Sequence, residues 1–340
     1  MKGLAWSPGG DEVWFSADRL TRSQFIYAVT LSGKERLVLQ APGWMRLQEI
    51  SRDGRVLMLQ ASPRSRIVCQ PPGSASLRDL SWFDWSTAAD LSADGKKLLF
   101  YEWGEGAAGN PTVYLRDTAG GDAIRLGEGR ALALSPDGKW ALALQAGPPP
   151  RLALLPTGPG EEQPLPSAGL TEFYSAAWFP DGKRVLFVAA GSDGKPRSYI
   201  EDVNGGEARA ITEETVQAVL VSPDGRLLAG IGPTGDFELR PVDGGQPRPI
   251  RGALPGDDPI QWSADGRFLY VKGVDDSSLE FFRLNLATGR REPWKKIAVA
   301  DPVGMIGIQP AAVRITPDGR SYVYSYWRTL TELYLVDHLK

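Results

Sequence analysis

Leu134-Ser135-Pro136-Asp137-Gly138 places an apolar residue, a hydroxyl, proline, aspartate and glycine in a row, and that row recurs along the whole chain. It returns as Trp6-Ser7-Pro8-Gly9-Gly10, Ile50-Ser51-Arg52-Asp53-Gly54, Leu91-Ser92-Ala93-Asp94-Gly95 and Trp178-Phe179-Pro180-Asp181-Gly182. Val221-Ser222-Pro223-Asp224-Gly225, Trp262-Ser263-Ala264-Asp265-Gly266 and Ile315-Thr316-Pro317-Asp318-Gly319 complete eight copies. Their last glycines are 44, 41, 43, 44, 43, 41 and 53 residues apart, a spacing too even for chance. Asp-Gly between apolar runs signals a hairpin, because Gly accepts positive φ and Asp bonds its own backbone in the turn. The hydroxyl caps that turn, and Pro presets φ before it.

Arg or Lys follows Gly in seven of the eight copies, a solvated flank, and then come short apolar runs such as Val13-Trp14-Phe15, Leu98-Leu99-Phe100, Val185-Leu186-Phe187 and Leu269-Tyr270-Val271. Such runs suit strands buried on both faces. A second hairpin follows in each unit: Val113-Tyr114-Leu115 turns at Gly120-Gly121, and Phe237-Glu238-Leu239 at Asp243-Gly244-Gly245. Four antiparallel strands, A to D, therefore fill each unit, with no helical period of useful length. The expected fold is all-β: one β-propeller over 1–340, with eight blades of four strands starting near 3, 47, 88, 131, 175, 217, 259 and 312. Seven blades is the alternative. In the last unit Arg320 to Trp327 reads as strand B and Thr331 to Val336 as strand C, with no strand D. An upstream segment of a longer chain is expected to supply it, since a bare edge strand invites association.

Composition narrows the function. Of 340 residues, 38 are Lys or Arg and 41 Asp or Glu, so no basic face is available for non-specific nucleic-acid binding. No apolar run reaches the ~20 residues of a membrane helix, and the first residues read as structured chain, so no signal peptide is expected in them. Cys69 and His338 are the only residues of their kinds, which leaves no disulfide, thiolate cage, multi-histidine metal site or histidine-based triad. Neither metal nor other cofactor is expected. Cys69, in Ile67-Val68-Cys69, reads as a buried small apolar residue, and His338 as a bystander at a frayed end. Trp6, Trp178 and Trp262 share one slot of strand A and read as core.

The Ser-Pro-Asp-Gly-Lys units resemble the TolB-type, WD-repeat-like propeller repeats of bacteria across the whole chain. Longer strings, Gly3-Leu4-Ala5-Trp6-Ser7-Pro8, Asp79-Leu80-Ser81-Trp82-Phe83-Asp84-Trp85-Ser86, Ser321-Tyr322-Val323-Tyr324-Ser325-Tyr326-Trp327-Arg328 and Glu332-Leu333-Tyr334-Leu335-Val336, resemble the C-terminal propeller of acidobacterial-type serine/threonine protein kinases. That resemblance implies a sensor or interaction module attached to an upstream kinase. It implies an extracytoplasmic location if the kinase is membrane-bound, and a cytoplasmic one otherwise. Kinase chemistry itself is absent from these residues: Asp236-Phe237-Glu238 has Glu where the magnesium motif has Gly, and no Gly-rich phosphate loop follows a strand.

Propeller loops fall on two faces. The Asp-Gly and Gly-Gly turns share one, and the D-to-A and B-to-C connections share the other, around the channel. On the second face Trp44, Arg46, Trp82, Asp84, Trp85, Tyr174, Asp257, Asp258 and Asp301 are the candidates for binding a protein, peptide or small-molecule ligand, against the simpler reading that the aromatics pack between blades. The repeated aspartates are structural, because a catalytic pair occurs once and a turn occurs in every blade. Asp275-Asp276 and Asp193-Gly194 lack the oxygen-ligand spacing of a calcium loop, and Pro148-Pro149-Pro150 reads as a stiff B-to-C loop. The expected function is a non-catalytic sensor or interaction propeller. The alternatives are a TolB-like periplasmic scaffold, or a hydrolase in which Asp84, Glu172, Asp257, Asp258 and Asp301 meet at the channel mouth.

Overall fold

A computed structural model describes residues 2–17, 24–41, 43–104, 110–166, 169–273, 279–297, 303–309, 312–337 and 339. The architecture is all strand, and no helix among these residues is long and apolar enough to cross a membrane. Where the sequence reads one domain over 1–340, the contacts gather into two compact units. The smaller comprises Met1–Ser65, Asp301–Gly307 and Tyr326–Lys340, and the larger Arg66–Ala300 and Ile308–Ser325.

Every repeated turn forms. Ser135 Oγ donates to Asp137 Oδ1 (2.7 Å), the Lys139 amide donates to the same oxygen (3.1 Å), and the Trp140 amide donates to Ser135 Oγ (2.9 Å). Gly138 closes the turn at φ 70°, a conformation that other residues adopt at a cost. Ser92 with Asp94, Ser222 with Asp224, Ser263 with Asp265 and Thr316 with Asp318 repeat the hydroxyl-to-carboxylate bond. The hydroxyl and the amide hold the Asp137 carboxyl below its ordinary range.

In the smaller unit β1 (Lys2–Trp6), β2 (Glu12–Ala17), β3 (Phe25–Thr30) and β4 (Glu35–Leu39) form one antiparallel sheet. β5 (Trp44–Ile50) pairs with the long strand β6 (Val56–Gln70). Trp14, Ile26 and Ala28 of the first sheet pack on Met45, Leu47, Val56 and Met58 of the second. Gly3 lies so close to the Leu47 carbonyl that a Cβ there would overlap it.

The larger unit continues with β7 (Arg78–Asp79), then β8 (Ser86–Leu91), β9 (Lys97–Glu102), β10 (Thr112–Asp117) and β11 (Ile124–Glu128). Next come β12 (Arg130–Leu134), β13 (Trp140–Gln145), β14 (Arg151–Pro156) and β15 (Gln163–Pro164), followed by β16 (Leu170–Trp178), β17 (Arg184–Gly191), β18 (Arg197–Asp202) and β19 (Arg209–Ala210). After these stand β20 (Gln217–Val221), β21 (Leu227–Ile231), β22 (Phe237–Pro241) and β23 (Arg248–Pro249), then β24 (Asp258–Trp262), β25 (Phe268–Lys272), β26 (Leu279–Asn285) and β27 (Arg291–Ile297). Each of these five groups of four is one antiparallel sheet. The chain ends with β28 (Met305–Ile308), β29 (Arg314–Ile315) and β30 (Tyr322–Val336).

The sixth sheet of the larger unit is composite. β29 pairs with β30, β30 with β6, and β6 with β7. The unit boundary falls inside both 15-residue strands, so Tyr322–Ser325 and Arg66–Gln70 belong here. Ile67, Cys69 and Val323 accordingly share one core cluster with Leu98 and Phe100. The first strands touch in a closed cycle: β8, β12, β16, β20, β24, β29 and back to β8.

This corrects the expectation of eight blades in one ring. Six turn motifs serve the ring of the larger unit and two serve the smaller unit. The strands after the second and eighth turns exchange their continuations, so β6 and β7 complete the blade of the last repeat. Its fourth strand comes from within this chain, and Met305–Gly307 of β28 joins the remaining sheet of the smaller unit. The physical reason is a missing turn. The B-to-C connections of the other repeats in the ring begin with Gly104, Gly147, Gly191, Gly232 and Gly273, but residues 61–66 and 326–331 contain no glycine, asparagine or aspartate.

The A strands bulge, except for the two-residue β29: for example between Ala88 and Asp90 and between Ala218 and Leu220. A bulge leaves an amide without a ladder partner. Buried serines from the preceding sheet accept these amides: Ser325 Oγ takes Ala88 N (2.9 Å), Ser198 Oγ takes Ala218 N (2.8 Å), and in the smaller unit Ser16 Oγ takes Leu47 N (2.8 Å). Trp178 and Trp262 are core, as expected, at 8% and 3% exposure; Trp6 is not, at 56%. Trp6 lies opposite Val13, on the face of its sheet away from the Trp14–Met45 core. Cys69 is fully buried, and burial pushes its thiol up to about 12.

Candidate functional site

The loop between β7 and β8 carries the aromatic run singled out above, and its conformation follows from one buried carboxylate. Glu102, at the end of β9, is 2% exposed. It accepts the Phe83 amide (3.1 Å) and the Ser86 hydroxyl, while Ser86 Oγ itself accepts the Trp82 amide (2.8 Å). Burial pushes the Glu102 carboxyl up, and these donors pull it back. Arg116 of β10 donates to the Leu80 and Ser81 carbonyls (3.1 and 3.2 Å) and lies 5.3 Å over the Trp82 ring.

The loop is thereby fixed with Trp82 and Trp85 half-buried. Trp82 packs against the cluster of Ile67, Cys69, Phe100 and Tyr114, and Trp85 lies against Gly104, where a Cβ would be 2.7 Å from its ring. Phe83 (45% exposed) rests edge-on against Trp82 (5.8 Å between centroids) and Tyr114 (6.4 Å) with its remaining surface open to solvent, and Asp84 is exposed. Phe83 was legible only as part of the aromatic run. Glu102 and Arg116 had no signal at all, since each sits in an ordinary strand.

The other expected site residues separate. Trp44 and Arg46 lie in β5 of the smaller unit, within a strand and not a loop. Tyr174 is likewise inside a strand, β16, beside its bulge, exposed and donating to Glu172 Oε2 (2.6 Å). Asp257 is buried. It forms an ion pair with Arg291 of β27 and accepts the Leu254 amide (2.9 Å), so it holds its loop down rather than facing a ligand. The Arg291 guanidinium stacks 3.9 Å over Phe282. Asp258 is half-buried at the start of β24, opposite Lys272. Asp301, His338 and Asp275-Asp276 lie outside the described residues. Among the described residues no three His, Cys, Asp or Glu side chains are placed to hold a metal ion.

One groove on the connection face was not anticipated. It has a volume of about 520 Å³ and runs from Asn110 and Pro111 past Glu128 to Pro148 and Pro149. Its polar wall is a network: Arg151 donates to Gln145 Oε1 (2.9 Å) and Glu162 Oε1 (3.2 Å), and Gln145 donates to Glu162 Oε2 (2.9 Å). The proline run was the only part of it legible in the sequence.

No family model matches the chain, and no curated protein matches it. Solved structures do. The putative TolB from Agrobacterium tumefaciens aligns over 79% of this chain and 99% of its own, with a TM-score of 0.58 at 21% identity. A chain of the nidogen/laminin complex aligns over 69% of this chain and 94% of its own, at 0.50 and 13%. Oligogalacturonate lyase in complex with manganese aligns over 83% and 77%, at 0.50 and 17%. At such identities the likeness defines the fold and no more: the chain has a TolB-like β-propeller fold.

Proposed function

We propose that the chain is a non-catalytic propeller that binds a protein or peptide on the connection face of its larger unit, around the loop 80–86. The observation that carries this reading is the clamped loop. Glu102, Ser86 and Arg116 fix its backbone, so Phe83 and Asp84 stand out of the surface without needing to be ordered on binding. An exposed aromatic beside a carboxylate on a rigid support suits a recognition anchor. Two of the five acids that would favour a hydrolase have other work: Asp257 is paired with Arg291, and Glu172 with Tyr174. The resemblance of residues 79–86 and 321–336 to kinase-linked propellers supports placing this module in a signalling protein.

Peptides selected by display against the immobilised chain provide the test. The double variant Phe83→Ala, Asp84→Ala should weaken the selected binders at least about tenfold, the loss of roughly 1.4 kcal/mol expected for an anchor. The variant should still fold and melt in one cooperative transition, because the clamp made by Glu102, Ser86 and Arg116 does not use either side chain. Selected peptides that bind the variant as tightly as the parent would remove the site from this loop.

A further inference from the structure

Glu201, near the end of β18, lies opposite Val185 of β17, which lies opposite Trp178 of β16. Directly opposed residues share a sheet face, so these three form one row. Glu201 is 1% exposed, and both its carboxyl oxygens lack a hydrogen-bond partner, as does the Trp178 indole Nε1. The neighbouring blade turns Leu142, Leu152, Leu154 and Leu165 to this face, with Trp140 and Leu144 beside them, and none of these can titrate. On its own blade the face holds Trp178, Val185, Phe187 and Tyr199, of which only Tyr199 can ionise. The nearby charges are engaged elsewhere: Arg184 with Asp181, Arg197 with Asp193 and Glu214, and Asp202 with Asn204.

We propose that Glu201 is a proton-controlled latch between two adjacent blades of the larger unit, β12–β15 and β16–β19. Protonated, it rests in the apolar contact; ionised, it has no counter-charge there and no donor within hydrogen-bond reach, and it draws the contact open toward water. Burial alone pushes its carboxyl up to about 7 from the ordinary 4.5. The sign follows from linkage. As pH rises above the ordinary carboxylate range, the opened state releases the proton while the closed state keeps it, so the closed contact weakens. Above about 7 the closed state also releases it, and the weakening levels off.

Hydrogen exchange on the full chain, at about pH 5.5 and about pH 8.5 and corrected for intrinsic rates, tests this. Amides of 140–144, 184–189 and 198–202 should open at least about tenfold more often at the higher pH. Glu201→Gln and Glu201→Leu should each abolish that difference, the leucine matching the apolar face should the amide variant fold poorly. Equal protection of the parent protein at both pH values would overturn the latch. So would a pH difference that persists in either folded variant, since another group would then be responsible.

Discussion

Asp257→Ala is expected to destabilise the larger unit by about 3–5 kcal/mol, the usual cost of stranding one partner of a buried ion pair. The Asp257 side chain has no exposed surface, and Arg291 retains 18% of its own. Removing the carboxylate leaves the guanidinium over Phe282 without a counter-charge and the Leu254 amide without its acceptor. Asp257→Asn retains an acceptor for Leu254 and should cost less. The double variant Asp257→Ala, Arg291→Met should recover part of the loss, because replacing both charges by apolar groups is often close to neutral. Urea denaturation of the three variants decides it. A single variant within about 1 kcal/mol of the parent would show that the pair carries no structural role.

Trp294→Ala should have the second largest effect, about 3 kcal/mol, and it should act on ring closure. Trp294, in β27, packs edge-on against Tyr270 (5.1 Å between centroids), Phe281 (6.2 Å) and Tyr322 (6.3 Å). Tyr322 belongs to β30, so this contact joins the last contiguous sheet to the composite one. Beside it, Lys295 lies 4.2 Å over the Tyr322 ring and donates to Gln70 Oε1 (2.8 Å) on β6, a clasp that reaches both long strands. Hydrogen exchange should therefore show β29 and residues 322–325 losing protection well before β12–β19. Uniform loss around the ring would mean that this seam is no weaker than any other.

The propeller was legible because its turns repeat. Asp94, Asp137, Asp224, Asp265 and Asp318 are bound by their own Ser or Thr and by the amide two residues on, a local chemistry that needs nothing from the rest of the fold. The exchange of strands was not read, although its signal was present: Gly147 or Gly232 marks a B-to-C connection, and no such residue interrupts 61–66 or 326–331. Attention to where the chain must turn, beyond where it repeats, would have found it. Trp6 fills the same sequence slot as Trp178 but lies on the face of its sheet away from the Trp14–Met45 core, a difference set by packing and not by the motif. The site was half legible. The aromatic run at 82–85 is conspicuous, whereas Glu102 and Arg116, which hold it, sit in ordinary strands. Asp257 reads as a binding candidate in the loop Gly256-Asp257-Asp258, and only Arg291, 34 residues on, makes it a buried ion-pair partner.

The composite sheet bears the most weight, since it closes the ring with strands from opposite ends of the chain. Methyl NOEs in the 340-residue chain test it directly. Ile67 and Val323 share one buried cluster, so their methyl groups should show a strong cross-peak. Absence of that cross-peak, with Ile67 instead close to Leu59 as a simple hairpin of the second repeat would place it, would contradict the exchange and return the chain to a plain ring of consecutive blades.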